Sequence, residues 1–171
     1  ADRCALAVPD PGAEAGWSPL SGDQIGCLLG EFLAARGLEG SLANSIVSSR
    51  LLACIAEAHG LVHHTTLTGF KWIARAPKLA FGYEEAIGFC PNPQIARDKD
   101  GIASSVVAAS LFAALKVEGR TAWDELDRLA HAHGLHVTGP LTFRVEEIEQ
   151  IAAGMARLRA QPPSVLAGSP V

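Results

Sequence analysis

With 171 residues the chain is long enough for one ordinary domain with appendages and a substantial buried core. Hydrophobic residues make up 49% and charged residues 19%, a balance that favours a packed globular protein over disorder. The formal charge of −4, without any Lys/Arg cluster, argues against nucleic acid as a partner, and no apolar run approaches the roughly 20 residues that span a bilayer.

In chain order, Asp2 to Val8 is strand-like and leads into a turn-rich segment from Pro9 to Pro19. Ser21 or Asp23 can cap a helix through Arg36, because Ile25, Leu28, Leu29, Phe32 and Leu33 share one face and Gly37 is a natural stop. Leu42 to Val47 reads as a short strand, Arg50 to His59 as a helix closed by Gly60, and Leu61 to Thr66 as another strand. A short helix and a strand from Lys78 to Tyr83 follow. The Ala-rich segment Ile102 to Lys116 predicts a helix buried on most sides.

Beyond Gly119 come an amphipathic helix over Thr121 to His133, a strand-like stretch from His136 to Phe143, and a helix over Val145 to Arg159. Glu146, Glu147 and Glu149 fall in the first turns of that last helix and complement its dipole. Gln161 to Val171 is linker-like. The alternation of strands and helices predicts an α/β fold, with helices packed on a largely parallel or mixed sheet.

No nucleophile elbow, P-loop, dinucleotide fingerprint or HExxH motif is present. Cys4, Cys27, Cys54 and Cys90 form no CxxC and read as reduced, mostly buried small hydrophobes, which points to the cytoplasm. His63 and His64 lie in a strand, so one should be exposed and the other packed. His131, His133 and His136 do not share a helix face and make a poor metal site.

The polar residues with the clearest chemistry lie between Thr68 and Gly101. Thr68-Gly69 follows a strand, and the glycine lets backbone N–H groups approach a ligand oxygen. Glu84 and Glu85 follow the next strand, at the carboxyl edge where open α/β sheets bind ligands. Lys99 precedes Asp100-Gly101, with Asp100 a plausible helix N-cap. Spacing alone leaves Glu84 either an exposed loop carboxylate or a ligand group, and Lys71 either a solvated helix residue or a contact.

Three linked motifs go further: T-L-T-G-F-K-W-I (Thr66 to Ile73), Y-E-E-A-I-G (Tyr83 to Gly88) and D-K-D-G-I (Asp98 to Ile102). In this order and spacing they resemble the third domain of the α-D-phosphohexomutases, the phosphoglucomutase and phosphomannomutase superfamily. S-G-D-Q-I-G (Ser21 to Gly26) and S-I-V-S-S (Ser45 to Ser49) are similar to the elements preceding the family's TGFK loop. Ala1-Asp2-Arg3 resembles the end of its D-x-D-x-D-R metal loop.

The resemblance implies a three-layer sheet-and-helix domain with a mixed or parallel sheet, plus a helical C-terminal extension. Residues 1–17 would close a preceding domain, 18–119 would recognise the sugar, and 120–171 would connect to a C-terminal domain. It implies transfer of a phosphoryl group between positions of a hexose or pentose phosphate, through a phosphoserine and a bisphosphate intermediate that doubles as activator, with Mg²⁺ in the complete enzyme.

Under the same resemblance Glu84 reads sugar hydroxyls, Lys99 contacts substrate and is a candidate for proton transfer, and Thr68, Gly69 and Lys71 line the sugar. Arg3 serves the phosphate, and Asp2 is the last of three metal carboxylates. Ala86 stands where many relatives carry a serine, so Glu85 either fills that gap or pairs with a lysine. The chain would be an internal piece, inactive alone, whose partners are the sugar phosphate and the other domains of the same enzyme. A stand-alone, non-catalytic sugar-phosphate module and an unrelated α/β scaffold are the competing readings.

Overall fold

The computed structural model describes residues 1–166 and 168–170. It divides into two compact units, Ala1–Thr138 and Gly139–Val171.

The first unit is built on a four-stranded mixed sheet of order β4-β3-β5-β6, with β3 (Ser41–Ser45), β4 (Val62–Thr66), β5 (Leu79–Glu84) and β6 (Gly88–Cys90). β3 runs parallel to both β4 and β5, while β6 pairs antiparallel with β5. Alternation along the strands gives each face its own core. Leu42, Phe81, Tyr83 and Phe89 join α1 (Gly22–Ala34), α2 (Leu51–Ala58), α4 (Gly101–Val117) and α5 (Ala122–His133) in the larger cluster. Ala43, Leu79 and Cys90 pack with the short α3 (Phe70–Ile73) and Ala76 in the smaller one. Helices therefore cover both faces, as the α/β reading predicted.

Local chemistry explains the element ends. Ser21 caps α1 in a full capping box with Gln24. Asp100 caps α4 as predicted, its Oδ1 accepting from the N–H groups of Ile102 at 3.1 Å and Ala103 at 2.9 Å. Arg128 on α5 donates to Glu125 and to Glu31 of α1, and Glu31 also meets His59 at the end of α2. These contacts tie three helices together.

Several expectations need correction. The N-terminal strand is short: β1 (Ala7–Pro9) pairs only with β2 (Trp17–Pro19) in a separate ribbon. β6 was not foreseen. α4 is not buried on most sides: Ser104, Ala108, Leu111 and Leu115 face the core, whereas Ile102 (67%), Val106 (64%) and Val117 (88%) are exposed. His63 and His64 are both half-buried, His63 donating its Nε2 hydrogen to Asn44 Oδ1 (3.0 Å) while remaining on the edge strand of the sheet. No single described helix is long and apolar enough to cross a membrane.

In the second unit, α6 (Glu149–Ala160) begins four residues later than predicted, so Glu146 and Glu147 precede it and Glu149 alone lies in its first turn. Ile148 at its N-cap offers no side-chain hydrogen bond, and no polar cap favours an earlier start. The strand predicted over residues 136–143, which straddles the two units, has no regular structure. Part of the linker-like tail forms a hairpin of β7 (Val165–Leu166) and β8 (Ser169–Pro170), and Ala167 and Val171 lie outside the described residues.

Candidate functional site

The three parallel strands end at Ser45, Thr66 and Glu84 on one edge of the sheet. From β3 the chain crosses to β4 on one side; β5 returns on the other side of β3 and continues outward to β6. Connections thus diverge at the β3/β5 boundary, the topological position where open α/β sheets form a crevice.

Glu84 closes β5 and pairs with Gly88 across a three-residue loop, Glu85 to Ile87. It is buried at 7% exposure, a costly place for a carboxylate without a partner. The partner is Arg3, whose Nη1 lies 3.3 Å from Glu84 Oε1 and also donates to the carbonyl of Ala86. Residues 1–3 reach this place because the Gly101 N–H donates to the Ala1 carbonyl at 3.1 Å, and Gly101 leaves room for the Arg3 backbone.

The stem of Lys99 lies beside the same carboxylate, against Gly88. A Cβ on Gly88 would come to 2.5 Å from Lys99 Cδ and 2.9 Å from Glu84 Oε1, so both side chains rest against this glycine. The Lys99 ammonium lies 3.2 Å from Asp98 Oδ1 and 5.2 Å from the centre of the Phe70 ring. The Lys99 backbone N–H, at 2.7 Å, and then its ammonium hold the Asp98 carboxyl below its ordinary pKa, outweighing its slight burial. Phe70 in turn begins the helix after Thr68-Gly69. Arg3, Glu84 and Lys99 form one cluster, joined to the glycine turn through Phe70.

A second set of polar contacts gathers around Glu85 and the buried Asp23. Glu85 Oε2 accepts from Ser45 Oγ at 2.9 Å and Ser48 Oγ at 3.0 Å, and the Glu85 N–H donates to Ser48 Oγ at 3.2 Å. Asp23 accepts from the Tyr83 hydroxyl (2.8 Å), the Ser49 N–H (2.7 Å) and the Thr138 hydroxyl (2.6 Å). Burial, with the neighbouring Cys27 and Asp23, pushes the Tyr83 phenol well above its usual pKa, so it serves as a neutral donor.

Residues 21–132 match the family model described as phosphoglucomutase/phosphomannomutase, alpha/beta/alpha domain III. The chain belongs to this family. A protein described as a phosphomannomutase from Haemophilus influenzae is 42% identical over 170 residues, covering 98% of this chain and 35% of its own length. Human phosphopentomutase is 31% identical, over 93% of this chain and 28% of its own. A phosphoglucomutase of Staphylococcus aureus is 30% identical, over 98% and 32%. The chain therefore spans about a third of the length of these relatives.

Among solved structures, a phosphomannomutase described from Thermus thermophilus superposes with a TM-score of 0.64 at 23% identity, over 78% of this chain and 29% of that one. An Aspergillus fumigatus N-acetylphosphoglucosamine mutase, solved with GlcNAc-6P and magnesium, gives 0.54 at 15%, over 94% and 39%. Both agree on the fold.

Against the phosphoglucomutase/phosphomannomutase pattern, the remaining expected residues are placed as follows. Gly69 has φ 112°, a conformation that favours glycine, and Thr68 beside it is exposed. Lys71 is exposed on α3, with its ammonium 5.6 Å from the Trp72 ring centre. Among the described residues Glu85 pairs with no lysine, and its Oε2 accepts from two serines. Asp2 is exposed, 4.0 Å from Arg3 Nε.

Among the described residues no group of three or more His, Cys, Asp or Glu could hold a metal. Asp2 alone does not fit magnesium, which needs several oxygen ligands. Sequence reasoning placed Ser48 only at the start of the second helix and gave Gly88 and Phe70 no separate role. The S-I-V-S-S and Y-E-E-A-I-G motifs contained the first two, but Ser48 meets Glu85 37 residues further on and Gly88 meets Lys99 11 residues further on.

Proposed function

We propose that the chain is the sugar-recognition part of a phosphosugar mutase that moves a phosphoryl group between the 1- and 6-positions of a hexose phosphate, or the 1- and 5-positions of a pentose phosphate. Membership in the family supports the reaction class. The observation that carries the sugar-phosphate reading is the convergence of Arg3, Glu84 and Lys99 at the carboxyl edge of the sheet. In this reading the phosphoryl group passes through a phosphoserine and a bisphosphorylated sugar. None of this chain's serines is assigned that role.

A carboxylate such as Glu84 can accept hydroxyl hydrogen bonds from two adjacent sugar oxygens. Its burial strengthens them, because the local dielectric is lower than that of water. Two neighbouring hydroxyls present nearly the same pair of donors when a sugar turns end for end, as a bisphosphate must. Arg3 compensates the Glu84 charge and offers its remaining donors to a phosphate oxygen. Lys99 extends an ammonium over Phe70 toward the same space, where it binds an anionic oxygen or passes a proton to a sugar oxygen. The Thr68 hydroxyl and the Gly69 N–H complete the sugar wall.

Magnesium would add charge stabilisation at the transferring phosphate. Among the described residues only Asp2 would contribute a ligand to its site. The chain alone is expected to lack mutase activity.

A titration of the ¹⁵N-labelled chain with glucose 1-phosphate, mannose 1-phosphate and ribose 1-phosphate tests the reading. Amide shifts should cluster at Thr68–Gly69, Glu84–Gly88 and Lys99, and should vanish in Glu84→Gln and Lys99→Ala. Scattered shifts, or none at millimolar ligand, would sink the sugar-phosphate assignment.

A further inference from the structure

Glu84 is the last residue of β5 and Glu85 the first of the turn that follows, so the two carboxylates are joined by a single peptide link at the strand end. Whatever seats one of them aims the other. Glu85 is seated firmly. Ser48 Oγ donates to Glu85 Oε2 and accepts the Glu85 N–H, while Ser45 Oγ donates to the same carboxylate oxygen. The two hydroxyls lie 2.8 Å apart and are themselves buried, at 1% and 9% exposure. Each hydroxyl has one proton, and both protons have an acceptor in Oε2. These contacts link the end of β3 and the connection after it to the end of β5, at the boundary where the strand connections diverge.

The loop they anchor would not hold this shape by itself. Ile87, a β-branched residue, sits at φ 56°, in the left-handed region that such residues avoid. Strain of this kind persists only where surrounding contacts over-determine it. Here the contacts are the Cys4 N–H on the Ile87 carbonyl (3.2 Å), Arg3 on the Ala86 carbonyl, and Gly22, where a Cβ would lie 1.9 Å from the Glu85 carbonyl oxygen. Those contacts hold the loop from the Arg3 side and from the start of α1. The serines hold it from the β3–α2 connection.

We infer that Ser45 and Ser48, acting through Glu85, are positioning residues that set the direction in which Glu84 presents its carboxylate to a hexose or pentose phosphate. The inference rests on the sugar-reading role of Glu84 given above. It removes Glu85 from the direct sugar contacts and gives a task to the S-I-V-S-S segment.

The test uses the ¹⁵N-labelled chain with Ser48→Ala, the double variant Ser45→Ala/Ser48→Ala, Ser48→Thr and Glu85→Gln. It has one readout without ligand and one with glucose 1-phosphate. Without ligand, backbone order parameters at Glu84–Gly88 should fall from about 0.85 toward 0.6 in the alanine variants, while far-UV circular dichroism stays native. With ligand, the alanine variants should bind about tenfold more weakly. Ser48→Thr, which keeps the hydroxyl, should restore order and affinity together.

If the double variant fails to fold, Ser48→Ala and the nearly isosteric Glu85→Gln carry the same expectation. An ordered loop in the folded alanine variants overturns the inference. So does a loosened loop that binds glucose 1-phosphate as tightly as the parent chain, or a loss confined to Glu85→Gln, which would make Glu85 itself a sugar ligand. A parent chain that binds no sugar phosphate defeats the earlier functional reading and the sugar-directed part of this one. The loop-order readout then still decides whether the serines hold the loop.

Discussion

Replacing Gly88 with alanine separates the chemistry of the site from the stability of the fold. The new Cβ would come to 2.5 Å from Cδ and 2.9 Å from Cγ of Lys99, and 2.9 Å from Oε1 of Glu84. Ordinary carbon contacts sit near 3.5–4.0 Å, so the lysine stem must swing aside by about an ångström. That stem is flexible, and the strain falls on the site more than on the backbone. Alanine in a strand recovers roughly 0.5–1 kcal/mol relative to glycine, and displacing Lys99 from its seat over Phe70 costs a similar amount. Stability should change by less than about 1 kcal/mol, a few degrees in Tm at this size.

Affinity has no such compensation. A hydrogen bond to a charged group contributes about 1.5–3 kcal/mol, and each 1.4 kcal/mol is tenfold in Kd. Gly88→Ala should therefore weaken glucose 1-phosphate binding by roughly 10- to 100-fold. Calorimetric titration gives the Kd, and thermal melting followed by circular dichroism gives the Tm. A folded Gly88→Ala chain with unchanged affinity would refute the reasoning, because Lys99 and Glu84 could not then be working from their present positions.

Two further predictions concern the fold. Burial raises the pKa of Glu125, but the hydrogen bonds and charges of Arg128 and Arg120 outweigh it and hold the carboxyl below its ordinary value. A depressed pKa stabilises the native state above the unfolded value of about 4.3 and loses that contribution as pH falls through the folded value. Arg128→Ala should cost about 1–2 kcal/mol in urea denaturation at pH 7, toward the low end because Arg128 is partly exposed. The gap to the parent chain should narrow below about pH 4, and a constant gap would contradict this assignment. Burial also pushes the Cys27 thiol up to about 12 and the Cys90 thiol up to about 11. Iodoacetamide at pH 8 should label half-buried Cys54 first and leave Cys27 and Cys90 untouched until unfolding; mass spectrometry showing equal labelling of Cys27 in the native chain would oppose the burial described here.

Local signals carried much of the fold into view. The capping residues Ser21 and Asp100, the apolar stripe of α1 and the β-branched run of β4 each state their structure within a few residues. Where reading failed, the deciding contact was distant or missing. H-V-T-G-P-L-T-F looks like a strand, but among the described residues no strand pairs with it, and strand propensity is largely a matter of fitting a partner. In α4, alanine and valine occur on every side, so periodicity could not tell the face packed on Phe89 from the face left in water. β6 is only three residues long.

At the site, the motifs pointed to Glu84 and Lys99. Nothing near position 84 announces Arg3, 81 residues earlier, as its ionic partner. The fate of Glu85 was equally invisible, because the serines that hold it lie 37 and 40 residues away.

The start of α4 has a consequence for how anions are held. A helix N-terminus with free amides grips phosphate rigidly. Here the Gly101 amide is taken by the Ala1 carbonyl, and those of Ile102 and Ala103 by Asp100. In the proposed reading a phosphate would meet long, jointed arms in Arg3 and Lys99 instead of a fixed cradle. Such arms can follow a charged group as it moves and can let it go, a mechanical freedom that a ring of backbone amides lacks.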